Sequence, residues 1–275
     1  MVVKEAVKWG SKELEAVSLD PSKEAYWILG DLLDKAPLDL MMEGERPLDK
    51  KTESKFSLII SQRKEGMPLA YIQGKQAFMG FDFYVNNKVL IPRQDTERSV
   101  EALLDLAQSK KTFLELGVGS GCVSISLSLL APKAIQVDGV DISREALEVA
   151  KKNKKALGAR GVSFWQSDLF LKVSHKYDVI YSNPPYISYE DYETLEASVR
   201  KYEPALALVA HKDGLEFYEK IVSQARDYLN PQGRLVFEIG YNQKEALSQI
   251  LEDHGFRLEE VIYDYNHLPR VVLAS

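Results

Sequence analysis

Apolar positions change their spacing twice along this chain of 275 residues. Over the first 75 or so they recur at helical intervals. Ala25, Ile28, Leu29, Leu32 and Leu33 fall on one face of a helix that Asp20 caps and Pro21 opens, and Phe56, Ile59 and Ile60 mark another. Pro37 is expected to end the first helix, and Gly66 with Pro68 the second. The period then drops to two. Phe81, Phe83 and Val85 alternate with polar residues, Asn86-Asn87 reads as a turn, and Val89 and Ile91 as a return strand, so residues 76–91 are expected to form a hairpin. Pro92 closes it. From there on, apolar runs at 112–116, 135–140, 162–166, 178–182, 234–239, 256–263 and 270–274 alternate with amphipathic stretches near 96–108, 121–131, 144–157, 215–229 and 243–254. Such alternation predicts a doubly wound α/β sheet that binds its ligand at the carboxyl ends of the strands. Three segments follow: a helical domain over 1–75, a hairpin linker over 76–91 and an α/β domain over 92–275.

Composition narrows the function classes. Hydrophobic residues make up 45% and charged residues 28%, as in a globular protein, and no apolar run approaches the roughly 20 residues of a membrane span. No apolar leader follows Met1, so a cytoplasmic location is expected. The single cysteine, Cys122, excludes an internal disulfide, and the four histidines lack the spacing of a zinc site. The net charge is −6, and the first 75 residues carry 12 basic against 13 acidic side chains, so there is no basic arm for nucleic acid.

The first candidate site is a glycine loop. Thr112-Phe113-Leu114-Glu115-Leu116 runs into Gly117-Val118-Gly119-Ser120-Gly121, where glycines let the backbone turn tightly beside a ligand. The next strand ends in Asp141, placed to accept both hydroxyls of a ribose. A dinucleotide fingerprint wants glycine or alanine where Cys122 stands, and the Gly-Lys-Ser/Thr of a phosphate loop is absent. Gly-x-Gly-x-Gly with a distal acid fits S-adenosylmethionine (SAM) better, because that molecule has no pyrophosphate to cradle. An ordinary strand-to-helix turn remains the alternative for the glycines alone, and helix capping for Asp141, although Ser143 is the better placed cap. After the third strand, Asp168 is placed to accept from an adenine amine and Leu169 to cover the ring.

The second candidate site is Asn183-Pro184-Pro185-Tyr186, delivered by the fourth strand to the same crevice. Two prolines have no N–H to pair and pin the backbone so that a carbonyl points outward. Asn183 offers an amide oxygen that accepts from a planar NH2 group, and Tyr186 an aromatic face on which a flat group can stack. Together they would aim an amide or exocyclic amine at a methyl donor. No strong general base is evident, and none is required once the methylated nitrogen readily loses its proton.

With both loops read, the chain resembles the HemK/PrmC family, the N5-glutamine methyltransferases of class-1 peptide chain release factors. The resemblance spans nearly the whole sequence: Pro68-Leu69-Ala70-Tyr71-Ile72-Gln73-Gly74, Phe78 and Gly80, Val89-Leu90-Ile91-Pro92-Arg93, Glu115 to Cys122, Asn183 to Ile187, Glu203-Pro204-Ala205-Leu206-Ala207-Leu208 and Phe237-Glu238-Ile239-Gly240. The Asn-Pro-Pro-Tyr motif is shared with amino-methyltransferases of DNA and RNA, whereas the stretch 68–97 is far more specific. The resemblance implies a helical domain that recognises the release factor and a seven-stranded Rossmann-like SAM-dependent methyltransferase domain. It places SAM on Gly117 to Gly121, Asp141, Leu169 and Asn183, and the glutamine of the release factor's Gly-Gly-Gln loop at 183–186. Glu115 and Val118 depart from the family's usual aspartate and threonine, and the family implies a contact of the acid near the methionine amino group.

Two other readings stay open on sequence. An RNA or DNA amino-methyltransferase would share the loop chemistry, but its basic or aromatic nucleic-acid module is not found, which argues against nucleic acid as the direct substrate. A silent SAM-binding assembly module would have no need of the Asn-Pro-Pro-Tyr geometry. Lys151-Lys152-Asn153-Lys154-Lys155 reads as a solvated helix face, Cys122 as a small buried residue. Arg93 is placed to reach an acidic residue or a partner, and its role stays open.

Overall fold

A computed structural model describes residues 1–275, which divide into two compact units: Met1–Gln73 with Ala197–Tyr202, and Gly74–Glu196 with Glu203–Ser275. No helix in either is long and apolar enough to cross a membrane.

The smaller unit is helical: α1 (Val3–Leu14), α2 (Pro21–Leu33), α3 (Pro37–Met42), α4 (Lys50–Lys64) and α5 (Leu69–Gln73). Asp20 caps α2 by accepting from the Lys23 N–H at 3.1 Å, and Asp49 does the same for α4 from Thr52 at 2.9 Å. Val3, Val7, Leu14, Ile28, Leu29, Leu40, Phe56 and Ile60 form its core. Burying each of the larger ones contributes about 1.5–3 kcal/mol. Pro37 does not end α2. The helix stops at Leu33 because Asp34 turns left-handed (φ 52°), and Pro37 opens α3, where its missing N–H costs nothing.

The larger unit begins with a two-stranded hairpin, β1 (Lys75–Phe78) and β2 (Phe81–Tyr84). The expected strand over 89–91 is not formed, and the turn lies at Met79-Gly80 instead of Asn86-Asn87. Both turn residues take positive φ (49° and 80°), the two-residue geometry whose twist matches paired strands. The hairpin belongs to this unit. Its Tyr84 N–H donates to the Asn153 side chain at 2.8 Å and its Tyr84 carbonyl accepts from the same side chain at 2.9 Å.

The rest alternates helix and strand: α6 (Glu97–Leu106), β3 (Thr112–Leu116), α7 (Cys122–Leu130), β4 (Gln136–Asp141), α8 (Arg144–Leu157), β5 (Val162–Gln166), β6 (Tyr177–Ser182) and α9 (Tyr189–Thr194). A short α10 (Ala197–Tyr202) then belongs to the helical unit, where the Tyr202 hydroxyl donates to the Glu65 carbonyl at 3.1 Å. The chain re-enters the larger unit at Glu203 and finishes with α11 (Glu216–Tyr228), β7 (Leu229–Glu238), α12 (Lys244–Asp253), β8 (Leu258–Tyr263) and β9 (Pro269–Ala274).

The seven strands lie in the order β5-β4-β3-β6-β7-β9-β8, with β9 antiparallel to both of its neighbours. The chain winds outward from β3 to β5, then returns to start β6 on the other side of β3. A crevice therefore opens beyond the carboxyl ends of β3 and β6. Alternation along β3 sorts its side chains: Phe113 joins one core, and Leu114 and Leu116 the core on the opposite face. Glu115 thus falls on the Phe113 side, and it is hydrogen-bonded to Ser124 of α7.

Candidate active site

The crevice is a cavity of about 390 Å³, within the size range of small-molecule sites. Of the residues expected to hold a cofactor, Glu115, Gly117, Val118, Gly119, Ser120, Asp141, Asp168, Leu169 and Asn183 all line it, as do Pro184 and Pro185. Four strand ends thus converge on one chamber.

The glycine loop is built onto the end of β4. The Gly117 and Val118 N–H groups donate to the Val140 carbonyl at 2.8 and 3.2 Å. Gly117 and Gly119 take left-handed φ of 84° and 54°, and no atom lies within 4 Å of where a Gly119 side chain would begin. That is open space for a ligand beside bare backbone. Val118, which departs from the family pattern, turns inward over Gly139, where any Cβ would stand 2.5 Å from its methyl. Gly121 does not line the cavity: at φ 80° it lets α7 pack closely, with Ile125, Ala150 and Phe164 around it.

Asp141 accepts the Gly119 N–H at 2.9 Å with one carboxylate oxygen and the Ser143 N–H at 2.8 Å with the other. Each oxygen keeps a second lone pair for a ligand hydroxyl. Ser143, not Asp141, caps α8, by accepting from Ala146 at 3.1 Å. Burial pushes the Asp141 pKa up, and the Gly119 and Ser143 N–H groups work against that shift. Glu115 is buried outright. Its Oε2 accepts from the Ser124 N–H at 3.1 Å and from the Ser124 hydroxyl, which leaves Oε1 for a cation in the cavity. Burial pushes its pKa up to about 8. Beyond β5, Asp168 is exposed and Leu169 half-buried at φ 42°, its carbonyl accepting from the Ser167 hydroxyl at 2.9 Å.

The Asn183–Tyr186 loop is held at both ends. The Ser182 hydroxyl donates to the Leu116 carbonyl at 2.8 Å, and the Ile187 N–H to the Leu208 carbonyl at 3.0 Å. Tyr186 departs from its expected placement. It packs against the core around Tyr218 and Ile239 and does not line the cavity, so its ring is no stacking face there. Burial pushes its phenol up to about 12.

Several site residues escaped sequence reasoning. Asn87 to Leu90, Pro92 and Arg93 form one wall, and Pro204, Leu206 and Ala207 another. Arg93 ties the two together. Its guanidinium donates to Glu203 at 2.5 Å, and the other Glu203 oxygen accepts the Ile91 N–H at 3.3 Å. Asn153, which the sequence places within a solvated lysine run, is instead buried and donates to the Ser120 carbonyl of the glycine loop at 2.9 Å. Glu238 stands behind the wall and accepts from Thr96 at 3.1 Å and Ser99 at 3.2 Å, with the Tyr181 hydroxyl at 3.4 Å; burial pushes its pKa up to about 7. Family membership of Arg93 and Glu203 in the motifs quoted above was the only sequence signal for these residues. Partners 110 positions apart leave no periodicity to read.

Comparison with known proteins adds a family to this geometry. The PrmC N-terminal domain family matches residues 5–74, and the methyltransferase small domain family residues 94–207. The release factor glutamine methyltransferase of Bacillus cereus is 36% identical over 284 residues, covering 100% of this chain and 99% of that protein. The protein of the same name from Geobacter sulfurreducens is 39% identical over 250 residues, covering 90% and 87%. Among solved structures, a methyltransferase from Pyrococcus furiosus superposes with a TM-score of 0.55 at 19% identity, over 80% of this chain and 98% of that one, a likeness of fold. The chain belongs to the release factor glutamine methyltransferase family.

Proposed function

We propose that this protein transfers a methyl group from SAM to the side-chain amide nitrogen of the glutamine in the Gly-Gly-Gln loop of class-1 peptide chain release factors. The observation that supports this most is the sharing of one cavity. The glycine loop and Asp141 line it together with Asn183, Pro184 and Pro185, so a methyl donor and a planar amide can meet there.

The residues fit SAM. Gly117, Val118, Gly119 and Ser120 would lie along it, Asp141 would accept the ribose hydroxyls, and Asp168 and Leu169 would flank the adenine. Oε1 of Glu115 would face the ammonium of the methionine portion. When bound, SAM supplies a sulfonium-activated methyl group. The acceptor amide is a poor nucleophile because its lone pair is delocalised, so the protein must orient it. Asn183 Oδ1 and the Pro184 carbonyl would each accept one of its N–H bonds, hold the nitrogen in line and favour the positive charge that builds on it. Pro184 and Pro185 confine it. The helical unit is the proposed recognition element for the body of the release factor.

Mass spectrometry tests the proposal. A release factor incubated with the protein and SAM should gain one methyl on the glutamine of its Gly-Gly-Gln loop. Label transferred only to RNA or DNA would overturn it.

The raised pKa of Glu115 adds a pH dependence. In the absence of SAM this carboxyl is mostly protonated at pH 7, because burial holds its pKa at about 8. An ammonium beside it favours the ionised form, so binding at pH 7 should release about one proton, and affinity should rise as pH increases from 6 to 7.5. Calorimetry in buffers of different ionisation enthalpy measures the released proton, and Glu115→Gln should abolish the release. Binding without proton release would remove Glu115 from contact with the ammonium.

A further inference from the structure

We infer that Gln243 is a positioning residue for methyl transfer, fixing the Asn183–Tyr186 loop through its side-chain amide. The inference rests on the methyltransferase reading above and adds a residue that touches neither cavity nor ligand.

The loop has little of its own to hold it. Pro184 and Pro185 have no N–H, so between the anchors at Ser182 and Ile187 the backbone depends on its carbonyls finding donors. The Tyr186 carbonyl finds one in Gln243, whose Nε2 donates to it at 2.9 Å. The direction of that amide is imposed from behind. Oε1 accepts the Gly240 N–H at 3.0 Å, and the Tyr218 hydroxyl lies 3.1 Å from the same oxygen. The Tyr218 hydroxyl lies equally close, 3.1 Å, to the Glu238 carbonyl, so the Gly240 N–H is the donor that sets the amide: with it at the oxygen end, the NH2 end faces Tyr186. Gln243 is only 6% exposed, so its side-chain amide draws its partners mainly from the protein.

An independent feature converges on the same carbonyl. Gly214, at φ 85°, lies so close that a Cβ there would stand 2.1 Å from the Tyr186 oxygen and 2.6 Å from Gln243 Nε2. Two elements distant in sequence, the turn before α11 and the residue that opens α12, thus close on one backbone atom. Asn183 is three residues away along a stiff segment, so a shift at Tyr186 moves the acceptor oxygens of Asn183 and Pro184 with it.

Three variants of the full chain test this: Gln243→Met, Gln243→Glu and Gly214→Ala. Gln243→Met is the decisive one, because it has no donor for the Tyr186 carbonyl at any pH. Gln243→Glu keeps an oxygen toward Gly240 and, where burial holds its carboxyl protonated, an O–H toward Tyr186, so it should lose activity only as that carboxyl ionises. Gln243→Met and Gly214→Ala should lower kcat on a purified class-1 release factor by about 10- to 100-fold, the scale of a misplacement near 1 Å, while KM for the release factor and Kd for SAM change less than about threefold. Amide exchange followed by NMR should quicken at Ile187 and Ala210, whose N–H bonds lie just past the latch, and stay unchanged along β6. Wild-type kcat in Gln243→Met would overturn the inference, as would a loss expressed in KM or in SAM affinity. If the wild-type protein leaves the release factor unmethylated, the functional reading fails instead. Exchange then decides the latch alone, and unchanged rates at Ile187 in all three variants would sink it.

Discussion

Replacing Asn183 with alanine is expected to slow turnover roughly 10²–10³-fold, a much larger effect than on SAM affinity. Asn183 stands where the two halves of the chamber meet, lining the same cavity as the glycine loop. Its contribution is to one atom. An amide nitrogen gives up resonance as it attacks, and the charge that develops is delivered to its two N–H bonds. An acceptor aimed at one of them is worth more in the transition state than in the ground state, so its loss falls on kcat. Steady-state kinetics on a release factor, with calorimetry for SAM, separates the two quantities. Normal turnover in Asn183→Ala would remove the residue from the reaction.

Asp141→Ala should weaken SAM binding by about 1–3 kcal/mol, roughly 5- to 150-fold in Kd. The acid acts twice. Its free lone pairs would face the ribose hydroxyls, and its occupied ones hold the Gly119 and Ser143 N–H groups that shape the loop. Asp141→Asn keeps one acceptor oxygen and should fall between alanine and wild type. Calorimetry checks both, with thermal unfolding to show that the variants are folded. Unchanged affinity in folded Asp141→Ala would exclude the ribose contact. The larger prediction concerns the acceptor and the smaller the donor, so together they assign the two ends of the cavity separately.

Local patterning determined most of the fold of the larger unit. Strand periodicity placed Thr112–Leu116 and Val162–Gln166 to the residue, and helical spacing placed Arg144–Leu157, because a face buried against one sheet imposes its period on a short stretch of chain. Glycine and proline carried the site for a similar reason. Their backbone restrictions act within a few residues, so Gly117 to Gly121 and Asn183 to Pro185 announce turns wherever they occur. The hairpin was the local failure. Met79-Gly80 makes a tight turn without the usual Asn-Gly signal, so alternation alone points past it to Asn86-Asn87.

Contacts between distant segments leave no such local record. Arg93 meets Glu203, Asn153 reaches the Ser120 carbonyl and Gln243 takes the Tyr186 carbonyl, across separations that no periodicity records. Tyr186 shows the limit most clearly. Its motif neighbours face the cavity, but its own ring is claimed by the core and its carbonyl by Gln243. Which loops border the cavity was legible in the chain, since backbone stiffness and strand order act locally. The tertiary structure decided which side chains hold those loops in place, because a buried amide or carboxylate goes wherever an unpaired backbone group needs a partner.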